Sequence, residues 1–372
     1  MPRLFSPAVK QIYSRYPALV RTATWDRITA LCQKGDQKTA EVVARDASAR
    51  SKQLNAQNVL ARKIRINRVQ LFASQTSMAQ EANKIFKDRS DSLELAIRRT
   101  AEDIQSVGMP LLRKLVAGEM AMLRRDLNKW LTDGIWQSIL LGLRNTEDAL
   151  VDVFKANEES YSSEIGKERE LCEERLSFGL TAPLVGRGNP KLKRGSESYY
   201  KTTDALYEKI VKQGTQGLQP SDRIWQLSKA TELELNRILQ SEIAAGTSSA
   251  NIAAELGDYI SPAVGQRAGL GQGVYKSPLR NAMRLARTET NRAYTNAQAE
   301  WAKTRSWVKG MMVTLSPAHD PTGGEDECDA WAGKILDPDE FQERVPFHPH
   351  CMCFGTIVIK DEFLSVEEAI HA

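Results

Sequence analysis

No run of eighteen consecutive apolar residues occurs in the 372-residue sequence, so no helix is expected to cross a membrane. The opening residues, MPRLFSPAVKQIYSRYP, lack the apolar core that a secretory signal peptide needs. Cysteine is scarce and its count of five is odd, with Cys32 and Cys172 standing alone in helical contexts. That argues against a disulfide framework and for synthesis in a reducing cytosol. Between Asp36 and Val107 there is neither proline nor glycine, so nothing in that stretch favours a turn. No internal repeat of fixed period is evident. With 41% hydrophobic and 26% charged residues, the composition is that of a folded chain rather than a disordered one.

What is present is mostly helical pattern. Residues 1–35, broken by Pro2, Pro7, Pro17 and Gly35, suit an arm or a helical hairpin. From Asp36, a plausible N-cap, apolar residues recur at sums of three and four (Leu60, Ile64, Leu71, Met78, Ile85, Leu93, Ile97, Ile104). This predicts one very long helix or two stacked ones, stopping at Gly108 and Pro110. A second stripe (Leu112, Val116, Met120, Leu123, Leu127, Trp130, Leu131) continues the helical pattern, loosened at Gly134 and Gly142. Thr146, Glu147 and Asp148 resemble a fresh helix start. The run PLVGRGNPKLKRG (183–195) has little to bury, and the main domain boundary is placed there. Beyond it, helices are predicted over Ser198–Gln213, Asp222–Ala245 and Thr247–Leu256, the last capped by Thr247 or Ser248. A glycine-rich loop runs from Gly257 to Pro278, and a strong helix covers Leu279–Thr304. Only Trp307–Leu315 and Phe354–Ile359 read as strands. The expected fold is therefore mainly α with a small β element. A long helical region (1–182) and a linker (183–197) precede a C-terminal α+β domain (198–372) able to fold alone.

Charge is unevenly spread. Residues 1–100 carry 19 Lys+Arg against 8 Asp+Glu, a balance of +11, and the remainder carries 32 against 39, a balance of −7. Arg62, Lys63, Arg65 and Arg68 crowd one segment without an acidic neighbour. They are the candidates for phosphate contact, or alternatively a solvated helical face.

Three of the five cysteines (Cys328, Cys351, Cys353) and three of the four histidines (His319, His348, His350) fall within residues 315–355. Thiolate and imidazole are the ligands zinc prefers, and a closed tetrahedral site takes four. Cys328, Cys351, Cys353 and His348 form the favoured set, with His319 the alternative fourth ligand and His350 the third choice. Ordinary core packing of the cysteines is the competing reading. Carboxylates are plentiful nearby, but no H-E-x-x-H helix and no deaminase-type pairing occurs, so no catalytic set is recognised. A Cys328 nucleophile with His348 as base is chemically conceivable.

The order S-x-x-H, C-D-x-x-A-G-K, P-x-H-P-x-C-x-C, carried by Ser316–His319, Cys328–Lys334 and Pro346–Cys353, resembles the C-terminal domain of the phage Mu F-like, SPP1-type minor head (head-morphogenesis) protein family. Two further pieces agree. One is the Ala286-Arg287-Thr288-Glu289 helix continuing to Asn291, and the other is Ala245–Ser248 followed by Ile252, Ala253 and Leu256. Together they cover about Leu227 to Ile359. The resemblance implies a structural virion protein of the phage head, made in the host cytoplasm and docked on the portal or the major capsid protein. It implies no enzyme activity and no membrane partner. A DNA-binding role with packaged DNA, or a zinc hydrolase or transferase, are the alternatives. Where the family usually has Asn before the cysteine pair and Arg within it, this chain has His350 and Met352. Arg287 and Glu289, two apart, cannot share a helical face; a buried Arg–Glu network is expected there, with Asn291 in reach of Arg287.

Overall fold

A computed structural model of the chain describes residue 12 and residues 22–100, 104–156, 163–177, 197–213, 219–261, 277–316, 319 and 326–363. The architecture is helical around one spine. The elements run α1 (Thr22–Gln33), α2 (Gln37–Asn67), α3 (Val69–Thr100), α4 (Ile104–Ala156), α5 (Ser163–Ser177), α6 (Glu197–Gln213), α7 (Pro220–Ala244), α8 (Ser249–Ile260) and α9 (Pro278–Lys303). Then come β1 (Val308–Thr314), α10 (Glu327–Trp331), β2 (Ile335–Leu336), α11 (Pro338–Arg344) and β3 (Phe354–Ile359).

The proline-free stretch forms two helices rather than one. Asp36 accepts from the Thr39 amide as the expected N-cap, and α2 gives way to α3 at Arg68. The buried side of α3 is Leu71, Ser74, Met78, Ala82, Phe86, Ser90, Leu93 and Ile97, so Phe86 rather than Ile85 continues the stripe.

The stop expected at Gly108 and Pro110 does not occur. The 53-residue α4 runs through both, and through Thr146–Asp148, for about 80 Å at 1.5 Å per residue. Pro110 lies in the second turn, where it removes one helical amide bond, and the helix nevertheless continues across it. Thr146 does not cap a new helix either, because its hydroxyl donates back to the Gly142 carbonyl inside α4. From Trp130 to Phe154 the apolar residues of α4 are buried on almost every side, the mark of a central helix.

The expected linker at 183–197 lies outside the described residues except for Glu197, which opens α6. The regions on its two sides share one core and do not pack as separate bodies, contrary to a self-standing 198–372 domain. Helix α9 lies along α4, and the seam includes polar contacts: Gln298 donates to Thr146 Oγ1 (3.1 Å), and the Trp301 indole donates to the buried Glu147 (3.1 Å). Gly142 permits the approach, since a Cβ there would lie 2.5 Å from the Tyr294 carbonyl oxygen.

The sheet is antiparallel with order β2-β1-β3; β1 and β3 match the expected strands, and the two-residue β2 was not foreseen. Trp307, just before β1, is wedged edge-on between Phe154 and Trp301 at 6.0 and 5.9 Å, which fixes the sheet to the spine. Most of the expected loop at 257–278 lies outside the described residues, while Ser248, not Thr247, caps α8.

Two glycines of α4 should therefore respond oppositely to alanine. Gly142→Ala is expected to cost about 1–3 kcal/mol by overpacking the α4–α9 seam. Gly118→Ala, exposed with nothing within 4 Å of the added Cβ, should gain roughly 0.5–1 kcal/mol. Urea midpoints of the two variants test this, and equal responses would refute the tight seam.

Candidate metal centre

The cluster is assembled by three short pieces, two of which are hydrogen-bonded to α9. Cys328 sits in the first turn of α10, where Asp326 caps the helix by accepting from the Cys328 and Asp329 amides. Asp329 returns the bond by accepting from the Asp326 amide. His348–Cys351 forms a turn closed by the Cys351 amide on the His348 carbonyl (3.1 Å). Cys351 and Cys353 follow two apart just before β3, and both side chains are buried in one cluster with Cys328. From α9, Asn291 donates to both cysteine carbonyls (3.0 and 3.1 Å), and Thr288 Oγ1 accepts the His350 amide (3.1 Å).

The donors converge. Cys328 Sγ lies 3.6 Å from Cys351 Sγ and 3.1 Å from His348 Nε2, and these three atoms all fall within 4.8 Å of one another. Cys328, Cys353 and His319 form a second such group. All three thiols are buried, at 0–1% exposure. His348 Nε2 faces both Cys328 Sγ (3.1 Å) and Asp326 Oδ2 (3.2 Å), while Nδ1 lies 2.8 Å from the Pro349 carbonyl; with Nδ1 as the donor, Nε2 has the lone pair a metal ligand needs. His319 Nε2 instead meets Asp329 Oδ1 at 3.0 Å. Hydrogen bonds from the Cys328 and Cys353 thiols pull the Cys351 thiol well below its ordinary value, and the contact with Cys351 pushes the Cys328 thiol up. Three thiols this close cannot all ionise unless a cation compensates them. Cys328, His348, Cys351 and Cys353 could hold a metal ion.

The remaining expectations fare differently. Glu289 is buried and paired with Arg292 (2.8 Å) and Arg223 (3.1 Å), whereas Arg287 is exposed and takes no part. Asn291 accepts from Arg68 (2.7 Å) rather than joining Arg287. Arg68 is thus a correction to the basic face. It is 1% exposed and cannot reach phosphate, because the spacing Leu60, Ile64, Arg68, Leu71 puts it on the buried stripe. Arg62 and Arg65 are exposed, and Lys63 pairs with Asp152. Beside the cluster, a cavity of about 400 Å³ is lined by Phe72, Met78, Trp130, Met283, Arg287 and His350.

His350, where the family usually has Asn, adopts φ 68°, the left-handed region that asparagine tolerates best among residues with a Cβ. Met352, where the family usually has Arg, is buried against Leu71, Leu141 and Tyr294. No family model matches the chain, and neither the curated proteins nor the solved structures give a significant match.

Burial, with the nearby Arg287 and Arg284 charges, lowers the His350 imidazole to about 4. The unfolded chain, with an ordinary histidine near 6.5, then binds the extra proton first, so this group removes stability as pH falls from about 6.5 towards 4. His350→Asn should flatten the fall of the urea midpoint with pH over that window, relative to the unaltered protein. Parallel curves would contradict a neutral, half-buried imidazole.

Proposed function

We propose that Cys328, His348, Cys351 and Cys353 hold one structural zinc ion, and that the chain is a non-enzymatic minor head protein of a phage, docked at the portal or the inner capsid. The observation that carries the zinc reading is the gathering of three buried thiols in one cluster, with Cys328 and Cys351 facing His348 and Cys353 adjoining Cys328. Around a tetrahedral zinc, two sulfurs lie about 3.8 Å apart and sulfur and nitrogen about 3.6 Å. The observed 3.6 and 3.1 Å are of that size. Four protein ligands leave no position for a reactive water, which suits a staple more than a hydrolase.

The Cys328–His348 contact also has the outline of a nucleophile and its base. Two features favour metal instead: Cys328 is 0% exposed, closed to any substrate, and two more thiols share the pocket. Of the nearby carboxylates, Asp329 caps α10 and pairs with His319, and Asp326 caps α10 while its Oδ2 lies 3.2 Å from His348 Nε2. The head-protein reading is supported by the resemblance of the motifs to that family, which the site gathers in one place. The DNA-associated alternative is weakened by the burial of Arg68 and the pairing of Lys63.

Elemental analysis of the protein purified without chelator should find one zinc per chain. Cys328→Ser, Cys351→Ser, Cys353→Ser and His348→Ala should each release it and lower the melting temperature severely, since structural zinc contributes folding free energy. His319→Ala should be milder. If it costs as much as Cys328→Ser while His348→Ala is harmless, His319 is the fourth ligand; if all five leave Tm unchanged, there is no structural metal. Co-purification with the portal or major capsid protein of the same phage tests the head reading separately, and binding to neither would count against it.

A further inference from the structure

Arg68 stands at the joint between α2 and α3 and is 1% exposed. Its Nη2 donates to Asn291 Oδ1 at 2.7 Å, while Nε and Nη1 are buried without a hydrogen-bond partner. The rings of Phe354, Tyr294 and Phe72 surround the guanidinium at 4.5, 5.5 and 5.7 Å from their centroids. Among the described residues no carboxylate pairs with it. The groups whose charge acts on it are the Tyr294 hydroxyl and the thiols of Cys353 and Cys351. Burial lowers its pKa to about 10, which still leaves it charged at neutral pH.

A buried cation without a counter-charge is strongly unfavourable, and aromatic faces and one amide oxygen offset only part of that. A divalent cation held by three thiolates and a neutral imidazole has the opposite problem, one surplus negative charge in a dry pocket. The two sites are joined by Asn291, whose amide oxygen takes the Arg68 proton and whose amide nitrogen donates to the carbonyls of Cys351 and Cys353.

We propose that Arg68 is the counter-ion of the loaded metal site, neutralising the surplus charge of the three-thiolate set and so tying the α2–α3 joint to the C-terminal clamp. This rests on the metal reading above and adds to it an outer residue from the far end of the sequence. Arg68 then favours the metal-bound protein over the metal-free one, because three thiols this close cannot all ionise without a cation and less of its charge is matched there.

The difference between the loaded and metal-free forms makes the test. In full-length protein, Co²⁺ serves as the probe: its thiolate charge-transfer absorption reports the ligands, and competition with a chelator gives its affinity. Arg68→Met should bind Co²⁺ about 10–100-fold more weakly. Its Tm should fall more in the Co²⁺-loaded form than in the metal-free form. Arg68→Lys keeps the charge and should stay within a few-fold of the unaltered affinity, and it carries the test alone if Arg68→Met fails to fold. Unchanged Co²⁺ affinity in Arg68→Met, equal Tm losses with and without metal, or an Arg68→Lys loss beyond tenfold would each overturn the counter-ion role. Absence of thiolate absorption in the unaltered protein would instead remove the metal reading, and the proposal with it.

Discussion

Asn291 is the point where distant parts of the chain are held to one geometry. Its side chain takes a proton from Arg68 of the N-terminal helices and gives two to the backbone around the cysteine pair. A fully buried amide satisfied on both its oxygen and its nitrogen tolerates little displacement, because each lost bond leaves an unpaired polar group in the core. The helix that carries it must therefore be immobile. Helix α9 achieves this by lying in the groove that Gly142 opens along α4, with Gln298 and Trp301 bonded across the seam.

That arrangement explains why so small a sheet can present a ligand cluster. Three strands, one of two residues, bury too little to order the thiols unaided. Order comes from outside: Trp307 anchors β1 to the spine, Asp326 caps the short helix of Cys328, and Thr288 and Asn291 hold the turn and strand bearing the other two thiols. A bound cation would add cross-links among pieces already close to their loaded spacing.

Much of this was legible in the residues. The helical periods, the Asp36 cap, both longer strands and the cysteine–histidine concentration follow from local chemistry that tertiary contacts did not override. The misplaced helix ends share one cause. Gly142, Pro110 and Thr146 carry local signals for helix ends, but α4 is buried against so many neighbours that packing outweighs them. Gly142 loosens the helical pattern in the sequence, yet the close approach of another helix is what requires it. Arg68 was assigned to a basic surface by composition, although its spacing from Ile64 and Leu71 already placed it on the apolar stripe; charge drew attention away from period. The link between Arg68 and Asn291 spans 223 positions and leaves no local trace. A domain boundary inferred from a polar, glycine- and proline-rich segment likewise says nothing of how the two sides pack.

The central claim is that three thiolates and one imidazole close around a single metal ion. X-ray absorption at the metal edge of the full-length protein tests it most directly. A first shell of three sulfurs at about 2.3 Å and one nitrogen at about 2.0–2.1 Å is the predicted result. A shell made mainly of oxygen and nitrogen donors, or one with fewer than three sulfurs, would contradict it.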